Sequence, residues 1–278
     1  MTIFNLTTGN DTITGTSGSD TFQGPAGGFD VLDGGAGDDI FYIGTGTTSV
    51  SSGTIDGGAD LDRLFAAGDL TGCTITGVET LLLGLDEVWL TAEQLNSFTT
   101  VGESQLNWIT IHLTTPGSVG ANFSNIFSKI TIYGSAGADI IDMSNAQYAS
   151  PYGGQYCFVY AGDDIGGNEL HGGNYVSWIY SGEGGDTLYG NGANDFLYGN
   201  GGNDTLHGGG GADILEGGDG DDLLDSGGGG GLFEVASFRS ATNGVTVDLA
   251  AGIATGQGTD TLSGGFGTVF GSDFTDSV

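Results

Sequence analysis

The sequence predicts an all-β chain folded as a right-handed parallel β-roll, a β-helix-like solenoid whose short strands stack coil upon coil. Three observations carry that prediction. Aspartates stand nine residues apart at Asp186, Asp195, Asp204, Asp213 and Asp222. An aliphatic residue follows each at the second position, as Leu188, Leu197, Leu206, Leu215 and Leu224. Glycine makes up 58 of 278 residues, many of them in runs just before those aspartates, roughly three times its usual share. Repeats held in one phase at a fixed short period mark a stacked architecture.

Each nine-residue unit divides into six turn residues and three strand residues. Glycines supply the positive φ angles of a tight turn, and the middle residue of the tripeptide faces opposite to its neighbours. One buried aliphatic per strand makes no core alone, so coils must stack. Two units make one 18-residue coil, which brings residues i and i+18 to about 4.8 Å, one strand spacing. The register extends backwards through Leu170 and Ile179 at the apolar position, with Asn168 and Ser177 at the aspartate position, making seven contiguous units from Asp163 to Asp225. A second block opens the chain with Asp11, Asp20, Asp30 and Asp39, followed by Ile13, Phe22, Leu32 and Phe41. Isolated copies occur at Gly57 to Leu64, at Gly134 to Ile141, around Asp260 and at Gly271 to Val278.

Stacking brings carboxylates into register, with Asp186, Asp204 and Asp222 on one edge and Asp195 and Asp213 on the other. Bare carboxylates at strand spacing repel by about 1–4 kcal/mol per pair, and a divalent cation between them reverses the sign. Hard oxygen donors without imidazole or thiolate select Ca²⁺ over zinc or copper, and Mg²⁺ demands a stricter octahedron. Composition points the same way. Three Lys+Arg against 35 Asp+Glu give a formal net charge of −32, which repels nucleic acid and anionic membrane surfaces and favours a cationic partner. Only 3 prolines and 37% hydrophobic residues exclude collagen and simple disorder.

The runs Gly34-Gly35-Ala36-Gly37-Asp38-Asp39-Ile40-Phe41-Tyr42 and Gly217-Gly218-Asp219-Gly220-Asp221-Asp222-Leu223-Leu224-Asp225 closely resemble the calcium-binding nonapeptide repeat of the RTX, or haemolysin-type, family. The resemblance covers about 11 units and implies a β-roll with calcium ions stacked between turns. It implies that each ion takes carbonyls at turn positions two and four and the Asp of one coil, with carbonyls at positions one and three and the Asp of the next. Carried over, one site is Gly182, Gly184, Asp186, Gly199, Gly201 and Asp204. The next is Asn200, Gly202, Asp204, Gly217, Asp219 (carbonyl) and Asp222. The opposite edge implies Asn191, Ala193, Asp195, Gly208, Gly210 and Asp213. The first block implies sites at Asp11/Asp30 and Asp20/Asp39, for about five or more ions, with Asn168/Asp186 and Ser177/Asp195 as weaker additions. Ala193 departs from the pattern by replacing a turn glycine, and Pro25 with Gly24 interrupts the first block.

Four segments follow. Residues 1–65 form an N-terminal calcium-binding block and 66–133 wider metal-free coils. Residues 134–231 form the main calcium-binding roll, and 232–278 closing strands. Within the second segment Leu106 to Leu113 alternates as a strand does, and Thr91-Ala92-Glu93-Gln94 reads as a capping box opening a short helix. Members of the resembled family leave the cell by type I secretion with an uncleaved C-terminal signal. The acidic-then-apolar ending Asp273 to Val278 is compatible with one, and the opening residues do not form a secretory signal peptide. No apolar run is long enough to cross a membrane. Cys73 and Cys157 are expected to be buried free thiols rather than a bridge.

Neither a His-Glu-x-x-His nor a Gly-x-Ser-x-Gly motif is present, so zinc-protease and lipase chemistry is absent. His171 and His207 lie two coils apart, too far to share a metal, and read as surface residues. One outer face carries Trp178, Tyr180, Phe196, Tyr198 and Ile214, a patch larger than soluble surfaces usually expose. Either residues 232–278 cover it, or it serves self-association, a protein partner or a carbohydrate. The functional expectation is a secreted, extracellular or cell-surface calcium-binding module that folds on binding calcium, structural or adhesive in a surface layer or biofilm, and not an enzyme. The alternative is an extracellular polysaccharide-modifying enzyme of lyase or epimerase type, which needs basic residues to hold an acidic glycan.

Overall fold

Two-residue periodicity and glycine-rich turns resolve into stacked parallel strands in a computed structural model of the chain. It describes residues 1–24, 27–43, 52–103, 108–120, 123, 129–147, 156–162, 165–228 and 233–278. Pro25, Leu106, Asn107 and Asp163 lie outside them. The chain forms two compact units: Met1–Thr115, Val119–Thr131 and Ala146–Gly154 in the first, and Pro116–Ser118, Ile132–Asn145 and Gln155–Val278 in the second. The architecture is a parallel β-solenoid.

In the first unit the chain alternates between two parallel stacks. One runs Ile3–Asn5, Thr21–Gln23, Ile40–Ile43, Arg63–Asp69, Thr80–Leu90 and Trp108–Leu113; the other runs Thr12–Thr14, Phe29–Asp33, Ser52–Asp56 and Cys73–Thr76. Phe4, Phe22 and Phe41 stack ring on ring at 5.1 and 4.6 Å, filling the narrow interior. Coils widen after Asp62. Thr80–Leu90 is long enough to pair with Thr100–Glu103 along its first half and with Trp108–Leu113 along its second. The helix Ala92–Ser97 fills the widened coil. Thr91 caps it, its hydroxyl accepting from the amide of Gln94 while the Gln94 side chain accepts from the amide of Thr91. Among the described residues no helix is long and apolar enough to cross a membrane.

The second unit keeps the 18-residue coil where the repeats are regular. Leu170, Leu188, Leu206 and Leu224 are in register on one stack, and Ile179, Leu197 and Leu215 on the other. All seven are fully buried. The period that aligns the aspartates therefore also aligns the core. Leu197→Ala is expected to destabilise the roll by about 2–5 kcal/mol, since its neighbours above and below are held by their own ladders and cannot collapse into the cavity; denaturant melts in saturating calcium measure this.

Past Asp225 the regular period ends but the stacks continue. Val235–Ser237 joins Ile214–Asp219 and Thr268–Phe270 joins Val235–Ser237, both in parallel. On the other stack Leu224 pairs with Leu262. The closing segment differs from a further parallel coil. Ile253–Thr255 runs antiparallel to both Thr246–Asp248 and Thr259–Ser263, because the short Asp248–Gly252 turn, with Gly252 at φ 70°, reverses the chain before a coil can be completed.

Candidate metal centre

Successive turns are joined by a ladder of carboxylates. The backbone N–H of each turn aspartate donates to Oδ1 of the aspartate one coil later. On one edge of the second unit the bonds are Asp186 to Asp204 at 2.8 Å, Asp204 to Asp222 at 2.9 Å and Asp222 to Asp260 at 3.2 Å. The other edge has Ser177 to Asp195 at 2.6 Å, Asp195 to Asp213 at 2.8 Å and Asp213 to Oε2 of Glu234 at 3.0 Å. In the first unit Asp11 donates to Asp30 at 2.9 Å and Asp20 to Asp39 at 2.7 Å, and the second ladder continues to Asp62 and Glu79. Every aspartate pair named from the sequence is thus brought together. Asp62, Asp139, Glu234 and Asp260 join the same ladders, although the sequence reading assigned them no ligand role. Their offsets of 21 residues from Asp213 to Glu234 and 38 from Asp222 to Asp260 break the nine-residue phase that reveals the others.

The second carboxylate oxygen sorts the turns into two kinds. Oδ2 of Asp39, Asp62, Asp195, Asp204, Asp213 and Asp222 is buried without a hydrogen-bond partner. In each of these turns the second residue is left-handed: Gly35, Gly58, Asn191, Asn200, Gly209 and Gly218 have φ between 71° and 107°. In the other kind this residue has ordinary φ and turns its amide onto Oδ2, as Thr7 does to Asp11 (2.7 Å), Thr16 to Asp20 (2.6 Å), Ser135 to Asp139 (2.7 Å) and Gly182 to Asp186 (3.2 Å). Hydroxyls of Thr7, Thr16 and Ser135 add to the closure. One backbone angle decides whether a carboxylate is satisfied from within its own turn. Asn tolerates the left-handed region better than other side chains, which explains Asn191 and Asn200. Ala193 has no positive φ, so its methyl is accommodated where the pattern expects glycine.

The first residue of the turn is glycine for a different reason. A β-carbon on Gly199 would strike Oδ2 of Asp204 and lie 2.5 Å from the Gly217 carbonyl oxygen; on Gly208 it would lie 2.5 Å from Oδ2 of Asp213 and 3.0 Å from the Ser226 carbonyl. A carboxylate oxygen and a backbone carbonyl therefore face the same small space. Carbonyls at turn positions two and four, among them those of Asn200, Ala193, Gly184 and Gly202, also point at the following coil, where a β-carbon on Gly218, Gly211, Gly202 or Gly220 would collide with them. The carbonyls of Gly182, Asn191 and Asp219 accept from the amides of Gly201 (3.3 Å), Gly210 (2.7 Å) and Gly202 (2.9 Å). Among the described residues no three His, Cys, Asp or Glu side chains converge on one point, so a cation here would draw on two carboxylates and the surrounding carbonyls. That donor set is hard, oxygen-only and flexible in number, as Ca²⁺ prefers. Gly199→Ala is expected to abolish cation binding at the Asp204/Asp222 pair, read as a reduced number of calcium ions by calorimetry.

Burial raises these carboxyls far above their ordinary range: Asp195, Asp204 and Asp260 to about 7, and Asp62, Asp213 and Asp222 to about 6. Amide hydrogen bonds oppose that rise, and neighbouring carboxylates, such as Asp213 beside Asp195, add to it. At Asp20 burial acts in the same sense, but the hydrogen bonds from Thr16 and Thr2 outweigh it and hold the carboxyl at about 2. A buried charge needs a counter-charge or a proton.

Glycine-rich turns stacked on a parallel roll, each presenting a buried carboxylate and a carbonyl to the next, define a cation-binding β-roll. The profile of the RTX calcium-binding nonapeptide repeat (4 copies) matches residues 6–27, 26–50, 131–142, 162–197, 171–206, 198–232 and 253–270, more than half of the chain. The chain belongs to that family. No curated protein matches it.

The outer faces carry ladders of their own. Phe158, Trp178 and Phe196 stack at 5.0 and 4.7 Å, and Tyr133, Tyr160, Tyr180 and Tyr198 at 5.0, 4.9 and 4.7 Å. Trp178, Tyr180, Phe196, Tyr198 and Ile214 are half-buried, and Val235–Ser237 and Thr268–Phe270 extend their sheet sideways. The opposite column stacks His171 on Tyr189 and Tyr189 on His207 at 4.4 and 4.9 Å. Cys73 and Cys157 are buried free thiols.

Proposed function

We propose that this chain is a calcium-binding RTX β-roll that folds on binding calcium and acts outside the cell as a structural or adhesive module without catalysis. One observation carries the reading: six buried turn carboxylates each keep an oxygen with no protein partner, and for Asp39, Asp62, Asp195, Asp204 and Asp213 that oxygen faces the space where the next coil presents a carbonyl. The role of calcium in this reading is to supply the counter-charge that lets these carboxylates stay ionised and buried; everything else is done by the chain. The proposed ligands are those of the pairs Asp204/Asp222 and Asp195/Asp213, with Asp186/Asp204 and the first-block pairs binding more weakly because Gly182, Thr7 and Thr16 already satisfy Asp186, Asp11 and Asp20.

Export before folding fits the same physics, since cytoplasmic calcium is scarce and external calcium plentiful. Two of the three cations a glycan-binding enzyme would use are engaged elsewhere: Lys129 lies 5.0 Å over the Trp108 ring and Arg239 4.1 Å over Phe270. The aromatic ladders favour a protein partner or self-association over a sugar. A sugar docks on an exposed ring face, and along these ladders neighbouring rings already cover the faces. Titration calorimetry with calcium, paired with circular dichroism before and after chelation, tests the proposal. Failure to bind calcium at millimolar concentration would overturn it.

A further inference from the structure

The turn Gly57-Gly58-Ala59-Asp60-Leu61-Asp62 lies outside every matched repeat, yet it is built like the open turns of the roll. Gly58 and Asp60 take φ of 98° and 86° at its second and fourth positions. Asp62 is fully buried, as is Asp39 one coil earlier, and Oδ2 of each has no partner. The amide of Asp39 donates to Oδ1 of Asp62 at 2.7 Å, which leaves Oδ2 as the free oxygen. A β-carbon at Gly34 would strike both Oδ2 of Asp39 and the carbonyl of Gly57. One at Gly57 would strike the carbonyl of Gly77 and lie 2.6 Å from Oδ2 of Asp62.

We infer that Asp39 and Asp62 form a further calcium site, beyond the matched repeats, in which the glutamate Glu79 closes the edge in place of an aspartate. This rests on the calcium reading above. Glu79 supports it through Oε2, which accepts the amide of Asp62 at 2.8 Å, so the ladder ends on a carboxylate whose extra methylene spans the widening coil. The opposite edge of the same coils is closed to metal. There Asp30 is followed in register by Gly53 and then Cys73, a residue without a side chain and a buried free thiol. Calcium binds along one edge only as the coil begins to widen.

The test uses the full chain and calcium alone, with bound ions counted by equilibrium dialysis and calorimetry. Asp62→Asn keeps an oxygen for the Asp39 amide and removes the charge. It is expected to bind one ion fewer than the parent while keeping its circular dichroism in calcium, and exchange of the Asp39 amide should no longer slow when calcium is added. Glu93→Gln, at an exposed helical position, removes the same charge elsewhere and should leave the count unchanged. An unchanged count in Asp62→Asn overturns this site and leaves the calcium reading standing; a parent that binds no calcium overturns both. Should Asp62→Asn fail to fold in calcium, Glu79→Gln, at a half-buried position, decides. It is expected to weaken one ion by about tenfold or more, because calcium affinity follows the number of ligand charges, and an unaltered isotherm overturns the proposal.

Discussion

Chelating calcium near pH 8 is expected to unfold the second unit, and lowering the pH to about 5 in the same chelator to restore much of its β-structure. The sign follows from the raised carboxyls. A group whose folded pKa lies above its unfolded value favours the fold when protonated, and that contribution fades as pH climbs from the unfolded value toward the folded one. For Asp195 and Asp204 the folded value is about 7, and for Asp213 and Asp222 about 6, against 3.8 for an ordinary aspartate. Above pH 7 all four are ionised, and each opposes the metal-free fold by about 1.4 kcal/mol for every pH unit of its displacement. Together they rival the whole stability of a domain, about 5–15 kcal/mol. Protons and calcium then compete for the same oxygens, so the calcium midpoint should rise as pH falls below 7. Far-ultraviolet circular dichroism across pH in chelator checks this, and β-structure that persists in chelator at pH 8 would contradict it.

Asp204→Asn should do more damage in calcium than any other single turn substitution, and the reverse in its absence. Asp204 faces both neighbouring coils. Its Oδ1 holds the Asp186 amide, its own amide reaches Asp222, and its Oδ2 is unpartnered. The amide side chain keeps the first bond and removes the charge shared by two proposed sites. Calcium affinity at both is expected to fall about tenfold or more, while the metal-free chain becomes more stable because a buried charge has gone. Asp204→Ala also strands the buried Asp186 amide, which costs a further ~1–3 kcal/mol in either condition. Denaturant melts with and without calcium separate the three chains, and an Asp204→Asn melt that matches the parent in calcium would refute the assignment.

Much of this was readable before any coordinates. The nine-residue phase aligned Leu188 with Leu206 and Leu197 with Leu215, and it paired the aspartates as the ladders pair them. The capping box at Thr91 and Gln94 rests on a local pattern and appears as read. Where a long excursion separates partners, local pattern fails. Glu234 and Asp260 enter the ladders at offsets of 21 and 38 residues, and no period connects them to Asp213 or Asp222. The antiparallel closure at Gly252 was equally hidden, since Thr246-Val247-Asp248 alternates the same way in either strand direction.

By itself the sequence determined that coils must stack, which aliphatics fill them and which carboxylates stand over one another, because a strict period maps directly onto position along a solenoid. Only the tertiary structure decided which of those carboxylates are left wanting a cation. That depends on the handedness of the second turn residue, which glycine and asparagine leave open until the adjoining coil confines it, and on whether a Thr or Ser folds its own amide and hydroxyl back onto the oxygen first.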